Sequence, residues 1–383
     1  MKIIGLETFL TNSGLRNYLF LRLTTDSGLT GIGEATLEWQ ERTVETLLHE
    51  WVVDRVVGAD PFEIETLAAD LIRDQYQGGA TVMTAISGVE MACWDLVGKA
   101  RGLPVYELLG GRCHDRLPAY ANGWYGGART PGEYAQKAAE AVRLGYTALK
   151  LDPFGTAWKT LSPEGMQEAE TLVAAVREAV GERVDIMVEF HGRLDVPTAI
   201  AMGHRLEKYK PRWYEEPVTP NSLEQLKQVK EALTISIAAG ERLYTLEDFE
   251  RITALRAVDV LQMDPAHCGG LGMARRIAAL AAEQGIAVAP HCSIGPVALC
   301  AAAHLDWATS NFLIQECFAQ YDVPWRGEYV FGAEAWRDGQ FMLPRKPGLG
   351  IELDTDACAR HSYRKNTFPS LWDQRWLKEF TQT

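Results

Sequence analysis

The sequence predicts an α/β protein built around a (β/α)-barrel, and three observations predict it. Eight short apolar runs follow one another between Leu117 and Glu316. Segments with helical periodicity separate most of them, the alternation of a parallel sheet. Each of the last seven runs ends in a carboxylate or a histidine, or has one within two residues of its end. Eight units is the count of a TIM barrel, and strand C-termini are where such barrels place their sites.

Residues 1–116 read as a separate, mixed α/β part. Asn17–Glu34 looks like two strands joined by a turn at Asp26-Ser27-Gly28. Glu41–Val56 carries apolar residues at helical spacing, and Ala85–Lys99 does so more strongly, with Gly102 and Pro104 ending it. Residues 117–323 hold the barrel pattern: LPAYA, YTALKLD, VDIMVEF, RWYEEP, ISIAAGE, VDVLQMD, IAVAPH and FLIQE. Ser162–Val180, Val196–Tyr209 and Gly272–Gln284 are typical of the helical segments between them. Residues 324–383 contain Gly348, Gly350, several tryptophans and a helix-like end. No repeat, low-complexity tract or flexible linker interrupts the chain, so the first and last parts are expected to pack on the barrel.

Composition bounds the function. The chain has 383 residues, 47% hydrophobic and 23% charged, an ordinary globular mix long enough for a large core or two domains. A net charge of −13 argues against nucleic acid as a partner. An anionic substrate would need local positive charge in that field, which a metal ion would supply. The start, MKIIGLETFLTNSG, lacks the apolar core and cleavage site of a signal peptide. No apolar stretch is expected to approach the length of a membrane span. Seven cysteines without framework spacing fit reduced thiols in a cytoplasm, and the lack of a CxxC pair disfavours zinc–thiolate binding.

The strand-end residues are Lys150, Glu189, Glu215, Glu241, Asp264, His291 and Glu316, and from Glu189 onward they recur every 23 to 27 residues. One carboxylate after a strand is ordinarily a favourable neighbour of the next helix N-terminus. Seven on consecutive strands make a ring. Glu189, Glu215 and Glu241 can hold a hard divalent cation through oxygen, and magnesium suits that set better than zinc. An aspartate beside an imidazole fixes its tautomer and raises its basicity, so Asp264 makes His291 a candidate general base. Alone, His291 would read equally well as a core histidine. His191 lies two residues past Glu189 and can face the same side as a second proton-transfer group, or face solvent as a loop residue. Arg193 can pair with a carboxylate or with a hydroxyl-rich substrate.

Together these residues resemble the enolase superfamily, mandelate racemase subgroup. The resemblance rests on Lys150-x-Asp152, Glu189, Glu215-Glu216-Pro217, Gly240-Glu241, Asp264 with Gly269-Gly270, His291 and Glu316. It extends to Trp94-Asp95 and to Leu108-Leu109-Gly110-Gly111, similar to that family's capping domain. It implies a modified TIM barrel under an N-terminal α+β cap completed by the C-terminal segment. YANGWY, ALKLDPFG, EFHGR and KPGLGIEL are similar to segments of gluconate and galactonate dehydratases. Carried over, the resemblance implies Mg2+ on Glu189, Glu215 and Glu241, and His291 with Asp264 as the base that takes the α-proton. His191 becomes the acid that helps the β-hydroxyl leave, and Glu316 a hydrogen-bonding partner of the substrate carboxylate and its enediolate. Racemases of this subgroup carry a second lysine where this chain has Asp152, which disfavours a two-base racemase. Lys150 is left as an electrostatic partner.

The expected activity is therefore dehydration of a sugar acid to a 2-keto-3-deoxy acid. An epimerase or cycloisomerase using the same enediolate, and a non-catalytic binding scaffold, are the competing readings. The expected partner is a small carboxylate, with no nucleic acid and no membrane. Family members often assemble, so a homo-oligomer is expected. Asn12–Asn17 and the Tyr76–Gly79 stretch are candidate specificity loops from the cap, with Asp152, Arg193 and Tyr76 as candidate substrate contacts.

Overall fold

The computed structural model describes residues 1–14, 16–220, 222–332 and 336–365. The chain opens with an antiparallel sheet of β1 (Ile3–Asn12), β2 (Asn17–Thr25) and β3 (Thr30–Glu34). The turn at Asp26–Gly28 lies between β2 and β3 as the sequence indicates. Strand β1 was not legible, and a register shift between Ile3 and Gly5 interrupts its pairing with β2. Helices α1 (Glu41–Leu47) and α2 (Val53–Val56) run together through a π-helical turn at Leu48–Val52. Helices α3 (Ile64–Asp74), α4 (Ala80–Arg101) and the short α5 (Val105–Leu108) complete the first part.

Helix α4 corrects one expectation. It starts five residues before the periodic segment read from the sequence, and its 22 residues are long and apolar enough to cross a membrane. It is a core helix instead, with 78% of its apolar window buried inside the protein. Its close approach to β3 needs glycine. A Cβ on Gly33 would lie 2.0 Å from the Gly88 carbonyl oxygen, and one on Gly31 would lie 2.2 Å from that of Ala92.

The barrel strands are β4 (Leu117–Ala121), β5 (Ala148–Leu151), β6 (Asp185–Glu189), β7 (Trp213–Glu215), β8 (Ser236–Ala239), β9 (Val260–Leu261), β10 (Ala287–Val288) and β11 (Gln315–Cys317). Each matches one of the eight apolar runs. They pair in parallel and in chain order, β11 pairs with β4, and a parallel bridge from Val288 to Phe312 closes the ring. Between successive strands lie α6 (Pro131–Arg143), α7 (Pro163–Val180), α8 (Val196–Leu206), α9 (Leu223–Ala232), α10 (Leu246–Ala254), α11 (Leu271–Glu283) and α12 (Pro296–Trp307). Among the described residues no long helix follows β11. Short strands β12 (Val330–Phe331), β13 (Trp336–Arg337), β14 (Gln340–Phe341) and β15 (Glu352–Leu353) follow, then α13 (Thr355–Arg360). Strand β14 pairs with β4, while Ser362 bridges to Thr11 of β1. The helix-like end, with Trp372 and Trp376, lies outside the described residues.

Alternation along the strands builds the barrel in layers. One side chain per strand fills the floor: Tyr120, Ala148, Met187, Trp213, Ala238, Val260, Ala289 and Ile314. Two residues further along each strand stand Asn122, Lys150, Glu189, Glu215, Gly240, Gln262, His291 and Glu316. The floor is apolar apart from the Tyr120 hydroxyl and the Trp213 indole N–H, and the layer above it is mostly polar. That switch is what turns a packed core into a site.

Buried polar groups seat the first part on the barrel. Glu34 accepts from the Gly295 N–H at 2.7 Å and the Ala298 N–H at 2.9 Å, at the start of α12. Glu90 of α4 does the same at α11, accepting from the Leu271 and Gly272 N–H groups at 2.8 Å each. Carboxylates at helix N-termini satisfy orphan donors and complement the dipole.

His304 of α12 joins three segments. Its Nδ1 accepts from the Tyr106 N–H at 3.0 Å and its Nε2 donates to the Leu349 carbonyl at 3.1 Å, so the ring is neutral. Burial pushes its pKa down from 6.5 to about 4. The unfolded chain therefore binds a proton that the folded one refuses, and stability falls as the pH drops from 6.5 towards 4. The contribution of His304 to that loss is about 3 kcal/mol, at 1.36 kcal/mol per unit. Urea unfolding of wild type and His304→Gln at pH 7 and pH 4.5 checks this, since roughly 2 kcal/mol of the His304 share should be reached by then. The His304→Gln variant should lose less stability between those two conditions than the wild type.

Candidate active site

The polar layer forms a compact cluster. Ligand atoms of Glu189, Glu215 and Glu241 all lie within 4.8 Å of one another. Glu189 and Glu215 end β6 and β7. Glu241 sits one step out of the alternation, and Gly240 explains how. Its φ of +145° turns the chain at the end of β8, and a Cβ there would meet the Gln262 backbone at 2.9 Å. The turn brings Glu241 to the mouth instead of the barrel's outer face.

Burial pushes all three carboxyls up, Glu189 to about 7, Glu215 to about 8 and Glu241 to about 7, and mutual repulsion adds to it. A cation among them would remove that repulsion, so the donor set fits a divalent ion bound through oxygen. Lys150 offsets part of the charge. Its Nζ lies 3.2 Å from Glu189 and 2.9 Å from Glu316, and it also pairs with Glu215.

Glu316 is fully engaged. Its Oε1 accepts from Asn122 at 2.8 Å and its Oε2 from the Cys292 N–H at 3.0 Å, besides the Lys150 pair. Burial would raise its pKa, but Lys150 and His291 outweigh that and hold it at about 2. It is an ionised acceptor in this arrangement and must take a proton before it can donate to a substrate carboxylate.

Two imidazoles flank the carboxylates, each oriented by an aspartate. Nδ1 of His291 lies 2.7 Å from Asp264 Oδ2, and its Nε2 lies 3.6 Å from both Glu241 and Glu316. Burial disfavours charge on this ring, yet Glu241, Glu316 and Asp264 together raise its pKa. Nδ1 of His191 lies 2.6 Å from Asp152 Oδ2, which leaves Nε2 for a ligand. The His191 backbone is held at φ +48° while its N–H donates to Glu189 Oε1 at 2.6 Å. A non-glycine residue in that region carries strain, which tends to collect at functional sites. His191 follows the third barrel strand and His291 the seventh, so the two come from opposite sides of the eight-stranded ring.

The other predicted contacts fall differently. Asp152 is buried and spent on His191, on Arg193 and on the Phe154 N–H at 2.9 Å. Arg193 is 1% exposed, donating to the Phe190 carbonyl at 3.0 Å and the Gly155 carbonyl at 2.6 Å. Both hold His191 in place from behind. Tyr76 is 96% exposed in the loop between α3 and α4, so the structure does not bring it to the ring. Of the Asn12–Asn17 loop, Leu15 lies outside the described residues. Arg16 of that loop pairs with Glu38 at 3.3 Å and reaches the Ser293 carbonyl, at the edge of the mouth.

Four polar residues of this region went unnoticed in the sequence: Asn122, Gln262, His267 and Glu38. The two-residue step from the floor would have found Asn122 and Gln262. Gln262 is fully buried, and among the described residues both ends of its amide lack a partner. Glu38 and His267 had no such signal.

Comparison with known proteins places most of the chain in one family. Residues 133–357 match the model of the enolase C-terminal domain-like family, and residues 6–110 match the mandelate racemase/muconate lactonizing enzyme N-terminal domain. A D-galactonate dehydratase of Xanthomonas oryzae pv. oryzae (strain PXO99A) is 37% identical over 370 residues, covering 94% of each chain. One from Variovorax paradoxus (strain S110) is 38% identical with the same coverage. Among solved structures, a mandelate racemase/muconate lactonizing enzyme from Jannaschia sp. CCS1 superposes with a TM-score of 0.88 at 33% identity, covering 96% of this chain and 99% of that one. A member of the enolase superfamily from Salmonella Typhimurium gives 0.88 at 28% identity, covering 94% and 98%.

Proposed function

Because the chain belongs to the mandelate racemase/muconate lactonizing enzyme family of the enolase superfamily, we propose that it is a magnesium-dependent dehydratase of an aldonic acid. D-galactonate is the first candidate, since relatives 37% and 38% identical carry the name D-galactonate dehydratase. The observation that carries this reading is the pair of aspartate-oriented histidines on opposite sides of a carboxylate triad.

Glu189, Glu215 and Glu241 would hold the magnesium ion. Bound there, it supplies a Lewis acid that offsets charge on the substrate carboxylate as the enediolate forms. His291 takes the α-proton on Nε2, with Asp264 fixing the ring through Nδ1. His191 gives the proton on its Nε2 to the departing β-hydroxyl, which leaves as water. The resulting enol tautomerises to the 2-keto-3-deoxy acid. Lys150 keeps a fixed positive charge beside the site of charge development. Asp152 replaces a second lysine and orients an acid instead, which favours elimination over racemisation.

A screen of aldonic and aldaric acids with magnesium tests the reading. A semicarbazide-reactive keto acid is expected from at least one of them. Deuterium exchange at the α-carbon with no keto acid from any would point to an epimerase and sink the dehydratase.

A further inference from the structure

His267 is absent from the mechanism above, yet it touches the machinery from behind. It follows β9 in the loop that leads to α11 and is 4% exposed. Its Nδ1 lies 3.3 Å from Asp264 Oδ2, the same oxygen that receives His291 at 2.7 Å. Its Nε2 lies 2.9 Å from the Thr36 carbonyl of the N-terminal part. Each ring nitrogen thus faces an acceptor, one on each side of the seam between the two domains.

Thr36 is itself fixed. Its hydroxyl accepts from the Leu19 N–H at 2.9 Å and donates to Glu34 Oε1 at 2.8 Å. Glu34 in turn grips the first turn of α12, a few residues after His291. Glu38 also reaches across, to the Ser293 hydroxyl. The stretch from Glu34 to Glu38 therefore holds the loop after β10 directly, and holds Asp264 through His267.

We infer that His267 is a positioning residue, spanning from the Thr36 carbonyl to the Asp264 carboxylate, that ties the seating of the cap to the orientation of the Asp264–His291 base. This rests on the reading of His291 as the base. A ring with both nitrogens protonated donates to both acceptors; an amide reaches one. Asn extends a donor about as far as Nδ1, and Gln about as far as Nε2. His267→Asn keeps the contact with Asp264 and gives up the hydrogen bond to Thr36, and His267→Gln does the reverse.

The test uses the magnesium-loaded full-length protein and its two variants with the aldonic acid found in the screen. Both variants should lose about 10- to 100-fold in kcat, the usual cost of an outer partner, with KM nearly unchanged. The primary isotope effect on kcat with the α-deuterated acid should rise, because proton removal has become slower. A merely structural histidine would lower the melting temperature and leave kcat and the isotope effect as in the wild type, which would overturn the inference. If the variants do not fold, 15N-histidine NMR of the magnesium-loaded wild type decides. Protons on both His267 ring nitrogens, protected by hydrogen bonds, support the span, and an unprotonated nitrogen at either position overturns it. The wild-type reaction separates the two failures. No α-proton exchange with any acid removes the base itself, whereas exchange in the wild type and undiminished exchange in both variants removes only the role of His267.

Discussion

His291→Asn is expected to cut keto-acid formation by about 10²- to 10⁴-fold, the contribution of a positioned general base. The asparagine amide can still face Asp264, so the loop keeps a hydrogen bond where Nδ1 had one. What disappears is a nitrogen able to take a proton at the mouth. Exchange of the α-proton in D2O should fall with keto-acid release, because both need that abstraction. His191→Asn is expected to separate them. The base remains, so exchange at the α-carbon continues, while loss of the β-hydroxyl slows. Proton NMR reads the exchange and semicarbazide reads the product. Equal loss of both in His191→Asn would mean that His191 does not act as the leaving-group acid.

Removing the metal site should be as severe. Glu215 is completely buried, receives the Trp213 indole N–H at 2.9 Å and pairs with Lys150. Glu215→Gln keeps that shape and deletes one negative charge, leaving Lys150 less compensated and the cation with two carboxylates. Magnesium affinity should fall by at least about 100-fold, since outer partners of ligands already cost 10- to 100-fold. Titration calorimetry measures that directly. Activity of the wild type should vanish with chelator and return with magnesium. Full turnover after exhaustive chelation would mean that the triad has a purely structural role.

Much of this site was legible because a barrel repeats one physical arrangement eight times. Strand-end residues recur at intervals of 23 to 27 from Glu189 to Glu316, and each falls where parallel strands end together. Where a residue left the alternation, a visible glycine marked the place, as Gly240 does before Glu241. The roles behind the ring were harder to read. Asp152 and Arg193 looked like substrate contacts because their side chains belong in a site. Only the fold reveals that they face one another across β5 and β6 and are spent on His191. The exposed place of Tyr76 was illegible because loop composition carries no direction. Glu34, Glu38, Glu90 and His267 were illegible for a different reason. They act across the seam between cap and barrel, and contacts spanning 181 to 264 residues of sequence leave no local pattern.

The most direct test of the enediolate chemistry follows an aldonic acid by proton NMR in D2O with the wild-type protein and magnesium. The α-proton signal should disappear as a 2-keto-3-deoxy acid appears carrying one deuterium at C3, and neither change should occur without the metal. An intact α-proton and no keto acid from any aldonic acid, with magnesium bound, would contradict it.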